Sequence, residues 1–542
     1  MPRARKRDRR GRQARRRSRA RPRTVPAPGP PPSLRGFWVP GAATLALLLL
    51  ALQPRVQDNP ILLWSFLGAA SAVAVWQVIL HRRLRRESAD RTFTVVLRPQ
   101  HYLQAAVQLS VFAYWGWYWR PVYDFAGLLL AQLAFAYAFD ILLAWSRRRD
   151  YALGFGPFPI IFSTNLFLWF RDDWFYLQFL MIAVGFLGKE FVRWNREGRR
   201  RHIFNPSAFS LGLFSTVLIL TGTSDLTWGQ DIASTLTLAP RIYLFLFLLG
   251  LVVMYFFSIT LVAGTAAATL FGLSALYSAL EGVPYFVDSE IPAAVFLGLH
   301  LLVTDPSTSP RTPLGKAVFG TGYGVSVFAL YTLLGAFGAP TFYDKLLAVP
   351  VLNLSVRAID ALVGSAGRWG ALARLGRIAP TRRLNLAQMG LWVLLFLSMT
   401  ALGRTDGRHT GDSLPFWEAA CEEGRRNACR QLVQLKLSYC VDNSAWACNE
   451  LGAHYSEGRI VPTDPGIAER YFAQACELRF QAACVNLLDA TVVSRSPPKP
   501  LDLRLLLREG GRNLMEMPEP ELYRRACEHR WSFACVPDAP AT

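Results

Sequence analysis

Long apolar runs separated by short polar segments fill the chain from residue 37 to residue 403, and beyond that point the pattern changes to shorter amphipathic stretches broken by turns. Runs long enough to cross about 30 Å of hydrocarbon at about 1.5 Å per residue begin near residues 37, 59, 100, 121, 158, 174, 204, 241, 260, 289, 315, 344 and 386. The pattern predicts an all-α chain: a polytopic membrane bundle of about 13 helices followed by a domain of shorter helices separated by turns.

Helices three to twelve of this series form a block of ten. Five is odd, so two five-helix halves must run with opposite orientation, the geometry of inverted repeats. The third helix of each half is abnormal. GFGPFPIIFSTNLFLWF opens with Pro157 and Pro159, and IPAAVFLGLHLLVTDPSTSP is short and breaks into polar residues. Proline removes a backbone donor, and backbone groups freed at membrane depth must find partners within protein or a cavity. Broken helices at matching places in two halves point to a site; short helices with capped ends are the competing reading.

Charge then sets orientation. The chain is 542 residues with a formal charge of +21 and 52% hydrophobic residues, and its mean hydropathy is +0.22, too apolar for an ordinary soluble protein. Much of the positive charge lies in loops that return from even-numbered crossings, such as HRRLRRESADR, SRRRD and KEFVRWNREGRRRH, whereas the outward loops are poor in Lys and Arg. The positive-inside rule therefore puts the N-terminus in the cytoplasm and residues 404–542 outside. Thirteen Lys or Arg lie between Arg3 and Arg23, ahead of the Pro-rich PAPGPPPS. This is a tail disordered by composition, and its chemistry suits anionic lipid rather than nucleic acid.

All eight cysteines follow residue 420, at Cys421, Cys429, Cys440, Cys448, Cys476, Cys484, Cys527 and Cys535, in successive pairs eight residues apart. Structural zinc sites usually space such pairs two to four apart, so disulfides are the stronger reading. Disulfides persist outside the cytosol, which agrees with the parity of the helix count.

Two helix starts share a device. In RRRHIFNPSAFSLGLF, Asn205 is placed to cap the seventh helix with Pro206 at its first position. In VTDPSTSPRTPLGKAVFG, Thr312 is placed to cap the eleventh ahead of Pro313. Arg199, Arg200, Arg201, Arg311 and Lys316 lie near these starts, which would suit an anion; simple capping is the plainer reading. The ordered set Gly188, Lys189, Phe204, Asn205, Pro206, Thr304, Asp305, Pro306, Ser309, Pro310 and Gly315 resembles the RnfD/NqrB family, membrane components of the Rnf electron-transport complex and of the sodium-translocating NADH:quinone oxidoreductase. The resemblance covers roughly residues 95–365 and implies the ten-helix, two-half fold. It also implies a bacterial inner membrane, partner subunits of an electron-transport complex, and a covalent FMN held on a Thr of a D-G-x-S-G-A-T segment. The corresponding stretch here is Asp231, Ile232, Ala233, Ser234, Thr235, Leu236, Thr237. Asp231, Ser234 and Thr237 keep the spacing, while Ile232 and Thr235 replace glycines that let the flavin phosphate approach. The wording around RHIFNPSAF is closer to a side branch of the family with an eroded flavin site.

Asp140 lies in the apolar run AYAFDILLAW and is a candidate for cation or proton handling, with a structural ion pair as the alternative. His300 is the only histidine inside a run, and the membrane block holds no cysteine, so neither a bis-His haem nor a thiolate-bound cluster is indicated there. No candidate metal site or catalytic residue stands out. No GxGxxG or P-loop opens a soluble nucleotide fold. AERYFAQACELRFQAACVNLL, with Gly452, Tyr455 and Gly458, resembles Sel-one-like repeats, relatives of the tetratricopeptide repeat, and Cys448 to Cys484 is a 36-residue step. That resemblance implies an α-solenoid whose disulfide bonds clip each turn: Cys421 with Cys429, Cys440 with Cys448, Cys476 with Cys484, and Cys527 with Cys535. The chain accordingly divides into a tail (1–36), two leading helices (37–94), the ten-helix block (95–365), a basic loop with a final helix (366–403) and a periplasmic repeat domain (404–542). The expected function is that of a membrane subunit in electron transfer or coupled ion transport, whose repeats bind an extracytoplasmic protein. The alternative is a non-redox transporter-like or scaffold protein on the same fold.

Overall fold

The computed structural model describes residues 36–86, 91–148, 150–196, 198–287, 289–366, 381–405, 409–488, 493–507, 514 and 517–535. The basic tail up to residue 35 and the basic loop 367–380 lie outside the described residues. Each apolar run forms a helix. The first two are α1 (Trp38–Leu50) and α2 (Pro60–Arg86). They are followed by α3 (Pro99–Tyr118), α4 (Ala126–Arg147), α5 (Pro157–Asn165), α6 (Phe175–Phe191) and α7 (Pro206–Thr221). A second set of five is α8 (Ile242–Phe257), α9 (Thr260–Glu281), α10 (Ala293–Leu301), α11 (Pro313–Ala336) and α12 (Asp344–Ala366), and α13 (Arg382–Ala401) closes the series. Among the described residues, six helices are long and apolar enough to cross a membrane, or seven if the bent pair Gly229–Leu238 and Ile242–Phe257 is one span.

Lipid is the solvent that makes sense of the helix surfaces. Leu45, Val75, Ile79, Leu130, Leu180, Leu213, Leu248, Val325 and Leu391 are exposed. In water such a continuous apolar girdle would cost about 25 cal/mol per Å². Exposed Trp64, Trp117, Tyr123, Trp174 and Tyr176 mark one rim and Trp38 and Tyr102 the other, where amphipathic rings settle at a bilayer's interfaces.

The connecting loops fall into two sets, and polar contacts between loops stay within a set among the described residues. On the first face, Thr92–Val95 pairs in parallel with Asp150–Leu153, starting from Thr92 opposite Asp150. Arg148 pairs with Glu190, and Arg196 reaches Asp360 at 2.5 Å. This face carries the basic loops. On the opposite face, Arg55 pairs with Asp172 at 2.7 Å, Asn59 donates to Asp173 at 2.8 Å, and Arg171 donates to the Asp225 carbonyl at 2.8 Å.

The two sets of five helices repeat one packing plan. In the first, α3 and α4 pack on α5, α4 also on α6, and α6 on α7; in the second, α8 and α9 pack on α10, α9 also on α11, and α11 on α12. The sets meet through equivalent helices, α3 against α8 and α7 against α12. Small residues permit the tightest approach: a Cβ on Gly320 would stand 2.2 Å from the Val262 carbonyl oxygen, so α11 lies against α9 only because that position is bare. Both α5 and α10 are only nine residues long. They sit at the same place in each plan, with every residue of α10 and all but Phe158 of α5 buried.

Beyond α13 the chain builds a separate core from α14 (Leu414–Glu422), α15 (Ala428–Val441), α16 (Ala445–Glu457), α17 (Pro465–Glu477), α18 (Gln481–Leu488), α19 (Pro500–Leu506) and α20 (Glu519–Glu528). Disulfides join Cys421 to Cys429, Cys440 to Cys448, Cys476 to Cys484 and Cys527 to Cys535, with Cα separations of 4.6 to 4.8 Å. Each bond clips a helix end to the following helix or turn, which restricts a short helical hairpin in the unfolded chain. This domain rests on the face opposite the basic loops, against Tyr277, Glu281 and Gly282, and Val283 is part of the domain's own core.

Candidate functional site

The motif residues around Asn205, Asp305 and Thr312 converge on the basic face. Asn205 accepts from the Ser207 amide and hydroxyl, which caps α7 behind Pro206. Its amide donates to the Leu302 carbonyl at the end of α10, and its own backbone N–H donates to Asn353 on α12 at 3.0 Å. Thr312 caps α11 by accepting from the Gly315 amide, ahead of Pro313. Asp305 gathers the loop between α10 and α11: it accepts from the Ser307 amide and hydroxyl and from Thr308, with His202 at 3.9 Å. Burial alone would raise the Asp305 pKa, but the neighbouring His202 and the hydrogen bonds from Ser307 outweigh it and hold the carboxyl below its usual range. Thr304 bonds back to the His300 carbonyl, and Pro306 follows Asp305 in the same turn. These groups hold helix ends together, and most of their hydrogen-bonding capacity is already used. Lys316 spends its ammonium on the Ser258 carbonyl at 2.6 Å, so the pair of starts is a joint between the halves before it is an anion site.

The two short helices are stabilised in different ways. Around α5, Gln132, Asn165 and Gln178 form a fully buried amide network. Gln132 donates to Asn165 at 3.0 Å and Asn165 to Gln132 at 2.7 Å, Gln178 donates to Gln132 at 3.0 Å, and the Phe170 amide donates to Gln178. Gln108 adds a bond to Ser163 at 2.6 Å. The chain can therefore leave α5 at membrane depth without stranding its polar groups. Around α10 the neighbours are aromatic. His300 lies between Phe296, at 4.6 Å, and Trp392 of α13, at 6.0 Å, and Phe247 stacks on Phe396 at 3.9 Å. The imidazole occupies a notch at Gly250, where a Cβ would stand 1.9 Å from its ring. Its Nδ1 bonds the Phe296 carbonyl at 2.7 Å, and its buried Nε2 faces no protein partner among the described residues.

The stretch aligned with the flavin segment lies on the face opposite the basic loops. It folds as a turn of helix, Gly229–Thr235, and a 3-10 turn, Leu236–Leu238. Ile232 and Leu236 are its buried anchors. Thr237 donates to the Ser234 carbonyl at 2.8 Å, Ser234 donates to the Asp231 carbonyl, and Asp231 lies 3.9 Å from Arg171. Burial raises the Asp231 pKa against the opposing Arg171 charge. Beneath the loop, Trp115 donates to Thr235 at 3.2 Å and Trp169 stacks on Phe125 at 4.3 Å. Asp231, Ser234 and Thr237 thus share one short segment, but they lie far from the Asn205 and Asp305 joint on the basic face. Asp140, on α4, accepts from Tyr151 at 3.1 Å, which ties it to the strand pair and not to either short helix.

Two clusters had no sequence motif to announce them. Glu290 receives Ser274 at 2.6 Å, Arg404 at 3.0 Å and His409 at 3.8 Å. In the disulfide domain, Lys436 lies between Glu418 at 3.0 Å and Glu450 at 3.2 Å and donates to His454 at 3.2 Å. Burial, with Lys436 and Arg495 near by, pushes the His454 pKa down to about 3, so the ring stays neutral and can accept that bond. The one available clue was polarity inside apolar or amphipathic runs, at Gln132, Asn165, Gln178 and Lys436. Among the described residues, no group of three or more His, Cys, Asp or Glu could hold a metal ion. Comparison with protein-family models, with curated proteins and with solved structures finds no match for this chain.

Proposed function

We propose that the chain is a multi-pass protein of a bacterial inner membrane, related to the RnfD/NqrB family, whose two-halved core takes part in electron transfer or coupled ion movement. On this reading all thirteen helices cross or enter the bilayer, the N-terminus and basic loops are cytoplasmic, and the disulfide domain is a periplasmic solenoid that binds a partner protein. The observation that carries the reading is the pair of nine-residue buried helices, α5 and α10, at matching places in two sets of five. Inverted repeats place their working site at such discontinuous helices, and the motif residues Asn205, Thr304, Asp305 and Thr312 tie the ends of the surrounding helices together.

A second reading, a transporter-like or scaffold protein without flavin, draws on the loop itself: Ile232 and Leu236 fill the interior there, whereas a flavin phosphate needs bare backbone. Coexpression with a flavin transferase, followed by in-gel fluorescence of the wild type and Thr237→Ala, separates the two. Fluorescence lost in Thr237→Ala supports FMN on Thr237. Bands dark in both samples remove covalent FMN and leave the second reading.

A further inference from the structure

The last membrane helix does more than carry a domain across the bilayer, because it touches the second half at three depths. Near the basic face, Asn385 accepts from Thr260 at 3.0 Å and donates to the Met254 carbonyl at 3.1 Å, pinning the hairpin between α8 and α9. At mid-depth, Trp392 and Phe396 cover His300 and Phe296 of α10, and Phe396 stacks on Phe247 of α8. At the opposite face, Arg404 and His409, which follow α13, close on Glu290, three residues ahead of α10.

That outermost contact runs on into the core of the disulfide domain. Gly411 donates its amide to His409 Nδ1 at 3.1 Å, and its carbonyl accepts from the fully buried Trp417 at 2.7 Å. Gly411 also lies so close to Val287 that a Cβ there would stand 1.8 Å from the Val287 carbonyl oxygen. In the domain's turn between α14 and α15, Arg425 donates to the Gly282 carbonyl at 2.8 Å, Arg426 pairs with Glu281 at 3.1 Å, and Asn427 donates to Tyr277 at 2.9 Å. The segment entering α10 is thus held by the domain on both sides of its turn. The equivalent entry to α5 lies on the opposite face and is held differently: the strand Asp150–Leu153 pairs with Thr92–Val95, and Tyr137 donates to the Gly154 carbonyl at 2.7 Å.

We propose that the chain has a second function as a transducer: the disulfide domain controls α10, so that a protein binding the domain resets the short helix of the second half while α5 stays in place. Release of Glu290 frees the α10 entry, and the Trp392 and His300 contact carries the tilt of α13 to the middle of the same helix. Coupling of this kind needs a two-state element that both sites bias, and the proposal assigns that role to α10, which is short, set off by Pro292 on one side and the Asp305 turn on the other, and without an amide network like that around α5. This function stands whether or not the core carries flavin.

The protein has no free cysteine, so one introduced thiol reports one place. Full-length chains carrying Ala294→Cys on α10, or Ser163→Cys on α5, would be labelled with a maleimide in detergent, each with and without Arg404→Ala, and with and without the domain-side pair Arg425→Ala and Arg426→Ala. Mass analysis of the four native disulfides would verify that the domain is folded. Loss of a charged hydrogen bond should raise the labelling rate at position 294 by about tenfold or more and leave position 163 unchanged. No rise at 294 with the disulfides intact overturns the proposal. So does an equal rise at both positions, which is general loosening rather than control of α10.

Discussion

The two five-helix halves place a nine-residue helix at the same point and then support it by different chemistry. The first half is self-sufficient: Gln132, Asn165 and Gln178 satisfy one another around α5, and the support is local. The second half borrows part of its support, adding it to the bonds of Ser274 to Glu290 and of Tyr243 to the Ile291 carbonyl within the half. His300 is seated by Gly250 of α8 and covered by Trp392 of α13, and the entry to α10 is held by Arg404 and His409. One packing plan can therefore yield a fixed element and an adjustable one, according to whether the polar groups of the broken helix are paired within the half or from outside it.

Gly250→Val tests the comparison most severely. With no room for even a Cβ beside His300, overpacking should cost about 3 kcal/mol or more and remove monodisperse protein from fluorescence-detected gel filtration; adding His300→Ala should restore much of the peak. Replacing Cys421 and Cys429 together by Ser comes next. Opening so short a loop should cost the outer domain about 2 to 3 kcal/mol, read as a lower thermal midpoint of proteolysis in residues 414–535, with α5 protected as before. Asn165→Leu leaves Gln132 and Gln178 short of partners, and about 1 to 2 kcal/mol should be lost from the first half, seen as a shift in the thermal midpoint of the detergent-solubilised chain.

The smallest effect is acid sensitivity at the strap. Burial would raise the Glu290 pKa, but the hydrogen bond from Ser274 and the charge of Arg404 help carry it below the usual glutamate range. A depressed carboxyl stabilises the fold above its unfolded pKa of about 4.3 and loses that contribution as pH falls through the lowered folded value. Acidification below about pH 4 should therefore weaken the strap by about 1 kcal/mol, held down because Arg404 is partly exposed. A Glu290→Gln chain should show no such step in its thermal midpoint across the same range; an identical step in both would assign the acid response elsewhere.

The helices were legible because apolar length and loop charge are written locally: the runs beginning near 37 and 386 become α1 and α13 with starts within a few residues of the pattern. The caps at Asn205 and Thr312 were legible for the same reason, since an Asn or Thr before a proline acts on amides two or three residues away. The breaks at α5 and α10 showed as prolines and polar tails. The supports of those breaks were not visible. Gln132, Asn165 and Gln178 come from three helices, and Glu290 meets partners that lie beyond α13; no period or spacing links residues brought together only by packing. Gly250 was hidden too, because a glycine in an apolar helix carries no sign of the ring it admits. Asp231, Ser234 and Thr237 could be aligned by spacing, but the burial of Ile232 and Leu236 that shapes their loop could not.

The orientation of the two faces is the property most directly measured. Alkaline phosphatase fused after Ser413 should be active in a bacterial host, with the disulfide domain's side exported, and the same reporter fused after Arg311 should be inactive. Activity after Arg311 with none after Ser413 would invert the faces, place the four disulfides in a reducing compartment, and contradict both the orientation of the core and the role of the strap.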